Sequence, residues 1–147
     1  GKGSRLPFTL PLYTPEHFVE AYLEEGIRRS TKDSRPVSLL VIHAESPPPA
    51  SANETISGIL SETRAFAERS LRDASAVMLE ESREIVVLLH GCAAEDVLKV
   101  RSRLQEGLSA YFRAKSWAES LRFRYGHASY PQDAENARGL LERARRR

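Results

Sequence analysis

Ser75-Ala-Val-Met-Leu-Glu-Glu-Ser-Arg-Glu-Ile-Val-Val-Leu-Leu-His90 is the stretch whose reading decides the fold. Two apolar runs, Ala76–Leu79 and Ile85–Leu89, flank the polar tetrad Glu80-Glu81-Ser82-Arg83. β-Branched and aliphatic residues on both sides of a short polar break predict a β-hairpin. The second run does not alternate, so both of its faces should be buried, as in a central strand. Tight two-residue hairpins favour glycine because both central residues need φ > 0, and the tetrad has none. Either the loop is longer than two residues or a glycine-dependent function has gone.

Upstream of the hairpin, Thr14-Pro15-Glu16 reads as a helix start: a threonine cap, proline at the first position and an early acid. Phe18, Val19, Tyr22, Leu23 and Ile27 follow on one face. Val37–His43 reads as an interior strand. Ser46-Pro-Pro-Pro49 makes a stiff loop, and Ser51-Ala-Asn-Glu54 fits a capping box that opens a second helix. Its buried stripe is Ile56, Ile59, Leu60, Thr63, Phe66, Ala67 and Leu71. Downstream, Glu95 to about Phe112 predicts a third helix, with Cys92 near its start. Leu121, Phe123 and Tyr125 alternate with Arg122 and Arg124 as in a strand with one polar face. Asp133 is the expected cap of a last helix carrying Ala137, Leu140, Leu141 and Ala144. The order α-βαββαβ-α predicts an α+β fold: a ferredoxin-like βαββαβ core of the nucleotidyl cyclase type with extra N- and C-terminal helices.

Composition bounds the function. A chain of 147 residues, 41% hydrophobic and 29% charged, suits one globular domain. Residues 1–6 read as a tag or linker and 7–147 as the domain, one module of a longer protein. No apolar run approaches the ~20 residues that cross a bilayer. One cysteine allows no internal disulfide and fits a reducing cytoplasm. A net charge of +2 does not point to nucleic acid, and arginines concentrated at the end suit a helix dipole. RNA-binding sheets of this topology expose aromatics, whereas Arg122 and Arg124 are the outward pair here. Trp117 is expected to pack across the sheet edge.

Four segments in order resemble one family. Leu12-Tyr-Thr-Pro-Glu-His-Phe18 is similar to L-Y-N-R-R-Y-F and Ser38-Leu-Leu-Val-Ile-His-Ala-Glu45 to S-L-L-L-L-D-I-D. Ile85-Val-Val-Leu-Leu89 resembles F-V-V-L-L, and Tyr125-Gly-His-Ala-Ser-Tyr-Pro131 resembles I-G-V-A-x-Y-P. These belong to the GGDEF domains, which make cyclic di-GMP from two GTP molecules. The resemblance places the family's magnesium ligands on His43 and Arg83, neither of which offers the oxygen a hard dication takes. The signature Gly-Gly falls on Glu81-Ser82, and only Glu84 matches. The guanine-recognition stretch is replaced by a shortened segment around Pro47–Gly58.

The resemblance therefore implies a catalytically inactive GGDEF-like domain: no enzyme, no catalytic residues, no metal and no cofactor. Such a domain would be a bacterial, cytoplasmic regulatory module that contacts a protein partner or other domains of its chain, with homodimers as a further state. The alternative is a cyclic di-GMP receptor. The family's inhibitory R-x-x-D falls on Arg72-Asp-Ala-Ser75, and arginine grips phosphate and stacks on guanine. His43 and Glu45 share a face of the strand end, and Arg83 in the former metal position is expected to pair with Glu45.

Overall fold

The structure, a computed structural model, describes residues 15–45, 53–71, 73–79, 82–115 and 122–146. The Thr14 cap, the Ser51 end of the capping box, Arg72, Glu80, Glu81, Trp117 and Leu121 lie outside the described residues. In chain order the elements are α1 (Pro15–Lys32), β1 (Val37–Ala44), α2 (Asn53–Ser70), β2 (Ala74–Leu79), β3 (Glu84–His90), α3 (Val97–Ala114), β4 (Phe123–Tyr130) and α4 (Ala137–Arg146). The strands form an antiparallel sheet in the order β2-β3-β1-β4, which is the ferredoxin-like arrangement expected from the sequence. No described helix is long and apolar enough to cross a membrane.

The uniformly apolar strands β1 and β3 are central, and their side chains alternate between two cores. Leu40, Ile42, Ile85 and Val87 pack beneath α2 and α3. Leu39, Val41, Val86 and Leu88 pack beneath α1 and α4. Both faces of the sheet are therefore covered, which explains why neither central strand carries a polar stripe. The second helical layer, rather than Arg122 and Arg124 alone, sets this sheet apart from one that offers bare aromatics to RNA. On the edge strand β2, the Ala76 N–H donates to the Glu68 carboxylate of α2 at 2.9 Å, so this edge position does not stay unpaired.

The hairpin link resolves the glycine question. Leu79 pairs with Glu84, so residues 80–83 form the connection and no two-residue turn is needed. Arg83 still adopts φ 56°, a left-handed conformation that costs an L-residue roughly 1–2 kcal/mol. Its carbonyl accepts the Ala44 N–H at 2.9 Å, fixing the end of the hairpin against β1.

Helix starts depart most from the sequence expectation. α3 begins at Val97, with Asp96 in the cap position but making no side-chain cap bond. Cys92 therefore sits in the turn after β3, five residues short of the helix. α4 begins at Ala137, not after Asp133: the Asn136 side chain accepts the Gly139 N–H at 2.7 Å. Asp133 instead reaches back to accept the Ser129 N–H at 2.8 Å. A cap residue competes between adjacent backbone donors, and here the strand end wins. Phe18, assigned to the buried stripe of α1, is 58% exposed, while Val19, Leu23 and Ile27 are buried as expected.

Candidate functional site

His43, Glu84 and Arg124 come together at one end of the sheet because the strand register puts them side by side. His43 pairs with Glu84 on β3 and with Arg124 on β4. All three belong to the face that α1 and α4 cover. From α4, Arg145 reaches down onto Glu84. Its Nε donates to both carboxylate oxygens at 3.0 and 3.1 Å, and its Nη2 donates to Oε1 at 2.8 Å. Glu84 is only 6% exposed, so this is a largely desolvated, fork-shaped pair of the stronger kind. The space left between His43, Glu84, Arg124 and Arg145 is about 10 Å³, room for no more than one water. The His43 Nδ1 is buried there with no hydrogen-bond partner among the described residues.

Glu45 does not pair with Arg83 as expected. Arg124 Nη1 donates to Glu45 Oε2 at 2.9 Å. The backbone dictates the choice, since the Glu45 N–H bonds to the Arg122 carbonyl at 2.8 Å and draws Glu45 toward β4. Arg83 is half-buried in the link and Ser82 beside it is exposed. Thus both described carboxylates at this end are held by guanidinium groups. Among the described residues no cluster of three or more His, Cys, Asp or Glu groups is assembled. Neither Arg145 nor Arg124 was singled out for this site from the sequence. Arg145 is 61 residues from Glu84, and no local spacing announces such a contact.

The opposite end of the sheet carries the second candidate. Ser75 on β2 is bonded by the Tyr22 hydroxyl of α1. Near it lies a polar pocket of about 180 Å³, lined by Arg29, Ser30, Asp33, Arg35, Asp73 and His90. Arg35 pairs with Asp73 at 3.3 Å, and Asp73 has φ 55°. Burial, assisted by the charges of Arg29 and Arg35, lowers the His90 imidazole below its ordinary pKa against the pull of Asp73. Gly91 is needed in the adjoining turn: φ is +79°, and a Cβ would stand 2.4 Å from the Arg35 guanidinium.

Cys92 is half-buried, and burial raises its thiol above the ordinary cysteine value, which disfavours the nucleophilic thiolate. The terminal arginines are largely committed to ion pairs rather than serving the helix dipole alone. Arg138 meets Glu20, Arg143 meets Asp133 and Arg145 meets Glu84.

No family model matches the chain, and no curated protein matches it. Solved structures do. A DGC protein from Thermotoga maritima superposes with a TM-score of 0.68 at 12% identity, covering 91% of this chain and 93% of that one. The isolated GGDEF domain of TpbB (YfiN) from Pseudomonas aeruginosa gives 0.62 at 19% identity, covering 87% and 77%. The GGDEF domain of DgcB from Caulobacter crescentus, in complex with c-di-GMP, gives 0.58 at 12% identity, covering 89% and 80%. The expectation that the chain is not an enzyme is corrected by these neighbours: it rested on substituted side chains alone, and the fold as a whole is that of a DGC protein and of GGDEF domains. The chain is a GGDEF-like domain in fold.

Proposed function

We propose that this domain is a regulatory module of cyclic di-GMP signalling that contacts a protein partner or other domains of its own chain. The observation that carries the reading is the bidentate pair between Arg145 and Glu84. It ties the C-terminal helix to the one signature position at which the chain matches the GGDEF pattern. A helix that holds such a carboxylate couples its own position to the state of the sheet end, which is what a regulatory contact requires. Titration calorimetry of the wild type and Arg145→Ala with GTP and magnesium tests it. The reading expects nucleotide to bind at least about tenfold more tightly once Arg145 is removed. Superimposable isotherms would overturn it.

A second reading, a cyclic di-GMP receptor, is favoured by the pocket that Arg29, Arg35 and His90 line beside Asp73. Two guanidiniums there offer forked donors to phosphate, and the DgcB neighbour was solved with c-di-GMP. Arg72 and Ser75, the positions the family resemblance assigns to the inhibitory motif, belong to this reading as expectations from the sequence. Heat on titration with cyclic di-GMP that Arg72→Ala or Arg35→Ala abolishes would support this reading. Heat that neither change affects would dismiss it.

A further inference from the structure

On the other face of the same sheet end, α3 and the start of β4 enclose a cavity of about 390 Å³ that neither reading above uses. Its apolar lining comes from Leu108, Phe112, Phe123 and Tyr125. The Phe112 and Phe123 rings lie 5.4 Å apart, tilted by 44°. Two cations, Arg113 from the last turn of α3 and Arg122 just before β4, complete the lining. Among the described residues neither arginine has an ion-pair partner, and no described carboxylate lines the cavity.

Across the sheet, Arg124 and Arg145 are each matched to a carboxylate. Arg113 and Arg122 are left to project a positive field into a cleft with low-dielectric walls, which raises the local concentration of anions. A guanidinium fork fits carboxylate, sulfonate or phosphate. Aromatic rings accept a flat partner in offset or edge-on contact. The volume lies within the range of small-molecule sites. Burial pushes the Tyr125 phenol up to about 12, so it remains a neutral hydroxyl able to donate a hydrogen bond to such an anion.

We propose that this α3–β4 cavity binds a small molecule with a planar aromatic body and an anionic group. The probe is 1-anilinonaphthalene-8-sulfonate, with uncharged N-phenyl-1-naphthylamine as its counterpart, followed by fluorescence on the full 147-residue chain. Saturable binding at one site per chain is expected. The double change Arg113→Gln with Arg122→Gln should weaken the sulfonate by about tenfold and leave the uncharged probe unaffected. Ser109→Trp places an indole from an exposed helix position of the cavity wall, and it should abolish binding of both probes without lowering the melting temperature. Sulfonate binding within twofold of wild type in both variants would overturn the proposal, as would an absence of saturable binding to the wild type.

Discussion

Replacing Arg145 with alanine removes the C-terminal helix's hold on Glu84 and leaves a carboxylate at 6% exposure without its fork. Deleting one partner of a fully buried pair costs roughly 3–5 kcal/mol, and deleting one from an exposed pair costs about 0–1 kcal/mol. The Arg145 side chain is 29% exposed and that of Glu84 9%, so solvent screens one partner in part. The cost should fall between these limits, at about 2 kcal/mol. For a domain of this size that is a drop of about 4–8 °C in melting temperature. Urea unfolding of wild type, Arg145→Ala, Glu84→Gln and the double variant separates the pair from the packing of the arginine stem. The coupling energy should exceed about 1 kcal/mol, with Glu84→Gln relieving much of the damage done by Arg145→Ala. A single variant within about 0.5 kcal/mol of wild type, or a vanishing coupling, would refute the reasoning.

Three further outcomes follow from the structure. Because burial lowers the folded-state His90 pKa, the unfolded chain takes up that proton first; stability is full above about 6.5 and declines as pH falls through that value toward the folded pKa. Urea midpoints at pH 7.5 and 5.5 should therefore differ more for wild type than for His90→Gln. Gly26 of α1 faces β3 so closely that a Cβ would stand 2.3 Å from Leu88 Cδ2. Leu88 is 1% exposed with little room to yield, so Gly26→Ala should cost roughly 1–3 kcal/mol by denaturant titration. The Cys92 thiol, raised by burial, should react with an aromatic disulfide reagent more slowly than a free cysteine at pH 8, and faster once urea unfolds the chain.

Much of the fold was legible because its signals are local. Uninterrupted apolar runs marked β1 and β3 as central, and helical spacing found the buried faces of α2 and α3. Helix starts were less legible, since Asp133 and Asn136 are both competent caps and only the path of the strand before them decides which one serves. At the candidate site, the strand placement of His43 and Glu84 was legible, and the register makes them neighbours. Its electrostatics were not. Which arginine meets which carboxylate depends on how β4 and α4 settle against β1 and β3, so Arg124 took the role expected of Arg83, and Arg145 entered from 61 residues away. The α3–β4 cavity had no motif to announce it, because its apolar lining reads from sequence as ordinary core.

The most direct measurement is a crystal of the domain soaked with manganese and GTP, read by anomalous diffraction at the manganese edge. With Arg145 on Glu84, the account predicts that the Nη2–Oε1 contact of 2.8 Å persists and that no manganese lies within ligand distance of Glu84. A manganese ion coordinated by Glu84, with Arg145 turned away in the unmodified chain, would contradict it.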